Sequence, residues 1–98
     1  MICKTKKQLI NKIRDYIEEG EPILLADGFE EAFIGMGRQF GKPVAIYHRQ
    51  KCIKILVKGG MTEEEAEEFF SFNIDGAWVG EQTPIYLDSE PLILNGNN

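Results

Sequence analysis

Two glycines spaced by one residue, Gly35 and Gly37, decide how the middle of this chain can fold. Inside a helix each would cost about 1 kcal/mol relative to alanine. Residues 32–39 therefore read as a strand, with Ile34, Met36 and Arg38 on one face and Phe33 and the two glycines on the other. Phe40-Gly41-Lys42-Pro43 supplies a turn, and Val44-Ala45-Ile46-Tyr47 a return strand. The expectation is a hairpin over 32–47. Its Gly–x–Gly face marks the close approach of a neighbouring element, less often of a ligand.

Helical patterns flank this hairpin. Thr5 and Gln8 have capping-box spacing, and Leu9, Ile10, Ile13, Tyr16 and Ile17 follow at helical intervals. Gly20 and Pro22 supply the stop, so a helix is expected over 6–19. Its charges oppose the helix dipole, with Lys6 and Lys7 early and Glu18 and Glu19 late, so its apolar stripe must hold it in place. Pro22-Ile23-Leu24-Leu25-Ala26, closed by Asp27-Gly28, reads as a short buried strand. From Arg49 to Lys58, Cys52, Ile55 and Leu56 fit a helix ended by Gly59-Gly60, although Ile53, Ile55 and Val57 also fit a strand. Thr62 and Glu65 make a second capping box, with Met61 and Ala66 spaced for a hydrophobic staple. Phe69 and Phe70 continue that stripe toward a stop at Asp75-Gly76. Ile85-Tyr86-Leu87 reads as a last strand. Leu92-Ile93-Leu94 is a patch able to dock as an edge strand, and Asn95-Gly96-Asn97-Asn98 a frayed end.

Ninety-eight residues without repeat or linker make one domain: a helix over 6–19, an α+β core over 22–87 and a tail over 88–98. The expected fold class is α+β, a small antiparallel or mixed sheet of three to four strands with about three helices packed on one face. No apolar run approaches the roughly 18 residues a membrane span requires. The opening MICKTKKQLI lacks the apolar region of a secretory signal. Cys3 and Cys52 lie too far apart for a zinc pattern and too few for a disulfide framework, which points to a reducing, cytoplasmic setting.

The net charge of −5 conceals a division. All 11 basic residues fall between Lys4 and Lys58, whereas residues 61–98 carry nine acidic side chains and no basic one. Either the acidic part packs beside the basic part and the fields partly cancel, or the acidic face stays exposed and steers a basic partner.

Tests for specific chemistry mostly exclude. Gly35 through Pro43 fails as a phosphate loop, because Met36 stands where the first glycine belongs and Pro43 where Ser or Thr should hold magnesium. A dinucleotide fingerprint fails at Phe40. Helices joined through Gly59-Gly60-Met61 suggest a helix-turn-helix, but Glu63, Glu64, Glu65, Glu67 and Glu68 would meet DNA phosphates with repulsion. Arg49, Lys51, Lys54 and Lys58 form a basic face, yet the chain's acidity argues against direct nucleic-acid binding. His48, the only histidine, and Cys52 share a helical face if that helix begins early, and are the weak candidates for a base and nucleophile. The bland reading makes Cys52 a core residue and His48 a polar strand end. No metal-ligand set emerges, the glutamate run lacks a calcium-loop pattern, and no cofactor is expected.

The most distinctive segment runs from Phe72 to Pro84, joining a helix to a strand with two glycines, the only tryptophan and Glu81. Trp78 either caps the core or offers contact surface. Asp27-Gly28-Phe29-Glu30-Glu31-Ala32-Phe33-Ile34-Gly35, Pro43-Val44-Ala45-Ile46-Tyr47, Cys52, Gly60-Met61-Thr62, Glu65-Ala66 and Phe72-Asn73 through Thr83-Pro84 together resemble a family of short bacteriophage, prophage and bacterial proteins. The resemblance spans residues 24–87, and Gly76-Ala77-Trp78-Val79-Gly80-Glu81-Gln82-Thr83-Pro84 is its most specific part. Members often carry Asp at the position of His48, which speaks against catalysis there. The resemblance implies a phage-associated setting and no known enzymatic activity.

Three functions follow in order of expectation. The first is an accessory protein that binds a host or phage protein in the host cytoplasm. In its sharper form it inhibits host defence, with Glu63, Glu64, Glu67 and Glu68 imitating nucleic-acid phosphates. The second is a nucleotide-like ligand binder, a homo-oligomer in one version, using Arg38, Lys42, Tyr47, Trp78 and Glu81. The third is a small hydrolase built on His48 and Cys52.

Overall fold

Antiparallel pairing of Phe33–Gln39 (β1) with Lys42–His48 (β2) forms the centre of the computed structural model, which describes residues 5–89. The expected hairpin is present, with a tighter turn. Phe40 and Gly41 alone make the loop, at φ 56° and 74°, between the paired residues Gln39 and Lys42. Two successive positive φ values match the strand twist, and Gly41 adopts its value without steric cost. Pro43 already lies inside β2, paired with Arg38.

The face assignment of β1 needs correction. The register slips by one residue between Phe33 and Gly35, a bulge that side-chain alternation alone does not reveal. Phe33 pairs with Tyr47 and Met36 with Ala45, so Phe33 shares the face of Met36 rather than that of the glycines. On the glycine face Ile46 lies across Gly37: a Cβ there would stand 3.2 Å from Ile46 Cδ1. The close approach comes from a neighbouring side chain.

Ile85–Leu87 (β3) pairs parallel with β2, giving a three-stranded mixed sheet in the order β1-β2-β3. Parallel neighbours need a long crossover, and two helices supply it: Arg49–Lys58 (α2) and Glu63–Phe70 (α3). With Lys6–Ile13 (α1) they pack on one face of the sheet. Ala45 and Tyr47 meet Cys52 and Ile53 of α2 and Ala66 and Phe70 of α3, while Leu9 and Ile13 of α1 settle on Phe33 and Met36. The fold is α+β.

Both capping boxes form, Thr5 with Gln8 and Thr62 with Glu65, each side chain bonded to the other residue's backbone N–H. Helix α1 stops at Ile13, earlier than expected, and a 3₁₀ turn, Arg14–Tyr16, follows. Glu18 and Glu19 would sit at the negative end of a longer helix. Instead the Glu18 N–H donates to Glu21 Oε1 at 2.9 Å and the Glu21 N–H to the Glu18 carbonyl, closing a separate turn with Gly20 at φ 80°. Residues 22–26 form no strand. They run as a strap held by side chains: Gln82 Nε2 donates to the Pro22 carbonyl at 2.6 Å, and the Ala26 N–H donates to the Tyr47 hydroxyl at 2.9 Å.

A chain of rings joins the layers. Phe33 meets Tyr47 edge-on at 5.7 Å, Tyr47 stacks on Tyr86 at 5.9 Å, and Tyr86 meets Phe70 edge-on at 5.0 Å. Each such pair contributes about 0.5–1.5 kcal/mol beyond its burial. Among the described residues no helix is long and apolar enough to cross a membrane. Cys3, the Leu92-Ile93-Leu94 patch and the expected frayed end lie outside the described residues.

Candidate functional site

Phe70 and Tyr86 touch, and the chain between them leaves the core and returns to it, with Ile74 still packed against the cluster. Helix α3 runs on into a wider π-type turn, Ser71–Asp75, where Asn73 Nδ2 donates to the Phe69 carbonyl at 3.2 Å. The loop then folds on itself. The Ala77 N–H donates to the Ile74 carbonyl, the Val79 N–H to Thr83 Oγ1 at 3.0 Å, and the Thr83 N–H to the Gly80 carbonyl. Gln82 clamps it to the body by donating to the carbonyls of Pro22 and Pro43.

Most of Gly76–Pro84 is therefore required by geometry. A Cβ on Gly76 would approach the Ser71 carbonyl oxygen to 3.1 Å, and Gly80 has φ 119°, where a side chain is strained. Gln82 and Thr83 carry the hydrogen bonds. The side chains of Trp78 and Val79 have no such duty, and these residues stand 74% and 59% exposed, with Phe72 at 78% just upstream. These side chains are the exposed apolar surface of a loop whose ends are tied to the body of the protein.

Beneath the loop lies a cleft of about 350 Å³. One wall is the strap from Leu24 to Phe29, and the other comes from Ile74, Ala77, Val79, Pro84 and Tyr86. Asp27, Asn73 and Thr83 are its polar members, and Lys6 Nζ sits 3.1 Å from Asp27 Oδ1. Burial pushes the Tyr86 hydroxyl up to about 12, so it remains a neutral phenol. A larger groove of about 840 Å³ lies on the strap's far side, against Ile10, Ile13 and Ile17, with charges of both signs on its rim.

The residues singled out in the sequence fall into separate places. Arg38 grips Glu21, with Nη2 3.1 Å from Oε1, and also donates to the Gly41 carbonyl. That hydrogen bond holds the Glu21 carboxyl below the ordinary carboxylate range. Tyr47 is wholly buried, its hydroxyl raised to about 12 by burial and occupied by Ala26. Lys42 is exposed at the hairpin tip, Trp78 is on the loop, and Glu81 is exposed beside Gln82. Glu63, Glu64, Glu67 and Glu68 all face solvent, and no ion pair engages them among the described residues. Glu65 differs, since the Thr62 backbone N–H holds its carboxylate and lowers its pKa.

His48 caps α2, with Nδ1 accepting from the Lys51 N–H at 3.3 Å. Cys52 is fully buried, and burial raises its thiol to about 12, which keeps it protonated and unreactive at neutral pH. The pair is a cap and a core residue. Among the described residues no group of three or more His, Cys, Asp or Glu gathers as a metal site. The sequence reading missed the strap's part in the cleft; the signal was Asp27-Gly28-Phe29, where Gly28 has φ 92° and its N–H donates to Glu30 Oε2. No family model matches this chain, and no curated protein or solved structure matches it either.

Proposed function

We propose that this chain is a small phage-type accessory protein that works by contact, gripping a host protein with the 71–84 loop and the adjoining acidic face of α3. The observation that carries the reading is the exposure of Phe72, Trp78 and Val79 on a loop whose shape is held by Gly76, Gly80, Gln82 and Thr83. Tyr and Trp anchors dominate contact energetics. The outward glutamates of α3 add a field that favours a basic partner and repels an acidic one. If the partner handles nucleic acid, Glu63, Glu64, Glu67 and Glu68 would occupy its phosphate-binding groove and inhibit it.

The test is capture from host lysate by immobilised protein, compared with Trp78→Ser and with a variant neutralising those four glutamates to Gln. The reading expects a discrete partner that Trp78→Ser loses and that the neutralised protein holds about tenfold more weakly. Capture indifferent to Trp78→Ser rejects the contact surface. Capture indifferent to the glutamates, or nucleic acid unable to compete for the partner, rejects the mimicry.

A further inference from the structure

We propose that the cleft between the Leu24–Phe29 strap and the 74–86 wall seats a bulky apolar side chain of the partner, flanked in the partner's sequence by basic residues. This rests on the contact reading above and names the partner's chemistry.

Size and lining argue for the apolar anchor. About 350 Å³ falls at the lower end of the range for small-ligand cavities and accepts an indole or phenyl group with space remaining. Leu24, Leu25, Phe29, Ile74, Val79 and Pro84 furnish the surface such a group would cover. The walls are held before anything binds, since Tyr47 ties Ala26 of the strap and Thr83 and Gln82 tie the loop. A preformed cleft spares much of the ordering cost of association.

Charge argues for the basic flank. Asp27 belongs to the lip but is paired with Lys6, whose Nζ lies 3.1 Å from its Oδ1, so the excess negative charge comes from the opposite wall. Asp75 follows Ile74 on the opposite wall, close enough for its charge to act on the Tyr86 hydroxyl. Glu81 is exposed on the same loop, and residues 61–98 contain no Lys or Arg to offset them. A second copy of this chain would bring the same negative rim against this one, so self-association through this face is disfavoured. A phosphate-bearing ligand meets the same obstacle.

The experiment records backbone amide spectra of the full, isotope-labelled chain against three peptides: Ac-Lys-Trp-Lys-NH2, Ac-Glu-Trp-Glu-NH2 and Ac-Lys-Ala-Lys-NH2. The first should shift the amides of Ile74, Ala77, Val79 and Thr83 in a saturable way, with a dissociation constant around 1 mM. The acidic peptide should bind at least about fivefold more weakly, and the alanine peptide should not saturate. Asp75→Asn with Glu81→Gln, which leaves the Lys6–Asp27 pair intact, should bring the two Trp peptides together while the spectrum stays that of the folded chain. No saturable shift from the Lys-Trp-Lys peptide, or equal shifts from all three, overturns the inference. Peptide binding without Trp78-dependent capture would instead count against the contact reading, and capture without peptide binding against the cleft alone.

Discussion

Replacing Tyr47 with Phe removes one oxygen and tests how the cleft is held. The ring keeps its contacts with Phe33 and Tyr86, at 5.7 and 5.9 Å, so the core retains its apolar volume. What disappears is the acceptor for the Ala26 N–H, the described hydrogen bond tying the strap's end to β2. A buried donor left without an acceptor costs about 1–3 kcal/mol. Ala26 is only half-buried, so water can replace part of the loss, and about 1–1.5 kcal/mol is expected. With a urea slope of about 1 kcal/mol/M for a chain of this length, the unfolding midpoint should fall by about 1 M. Exchange of the Ala26 amide should quicken about tenfold, beyond that of amides in α2. The Lys-Trp-Lys peptide should bind more weakly, because one wall of its cleft has loosened. An unchanged midpoint together with unchanged Ala26 protection would refute the account of the strap as side-chain-tethered.

Alkaline pH should unfold the protein early. The Cys52 thiol rises from 9.0 to about 12 in the fold, and the Tyr47 and Tyr86 hydroxyls from 10.0 to about 12. A raised folded value means the native state holds its proton longer, so stability is complete below about pH 9 and declines as pH climbs toward 12. Tyr47 alone accounts for roughly 2–3 kcal/mol of this, and Cys52→Ala should delay the onset seen by circular dichroism to about pH 10. On the acid side, Thr62→Ala should cost about 1 kcal/mol by chemical denaturation through loss of the α3 cap. Glu65 has a lowered value, held mainly by the Thr62 backbone N–H, so its contribution is present above the ordinary carboxylate pKa and fades as pH drops through the folded one; Glu65→Gln, which removes the titrating group, should flatten that decline. Phe40 has φ 56° with an exposed side chain, and Phe40→Asn should raise stability by about 1 kcal/mol, read as a higher urea midpoint.

The hairpin and both capping boxes were legible because their causes are local: glycine's helix penalty, turn chemistry, and side chains bonding to backbone three residues away. The missed features depend on distant partners. Residues 22–26 have the composition of a buried strand, yet their backbone is claimed by Gln82 and Tyr47, 60 and 21 residues away. The β1 bulge moves Phe33 to the other face by a slip of one residue, which an alternating pattern cannot register. The early end of α1 was half visible, since charges opposed to the dipole forecast a helix without support at its C-terminal end.

The acidic stretch shows how a sequence ambiguity resolves into surface chemistry. Part of the acidic half meets the basic half, since Arg49 Nε lies 3.8 Å from Asp88 Oδ1 and α3 shares a core with α2. Lys51, Lys54 and Lys58 of α2 and Glu63, Glu64, Glu67 and Glu68 of α3 are nonetheless exposed, with no ion pair joining them among the described residues. The glutamates of α3 therefore keep an outward negative face. Phe72, just past the end of α3, and Trp78 on the following loop add exposed apolar area. If the proposed contact reading holds, the two contributions to binding separate with ionic strength. Raising salt from 0.01 M to 0.1 M shortens the screening length from about 30 Å to about 10 Å and should slow association by weakening the glutamates' field. The apolar contribution from Trp78 is insensitive to that change and should govern dissociation. Trp78→Ser should thus raise the off-rate equally at both salt concentrations, while the four-glutamate variant should lose most of its on-rate deficit at the higher one. A Trp78 effect that vanished with salt would mean that the indole acts only by placing charge, and the contact surface would have to be redrawn around α3.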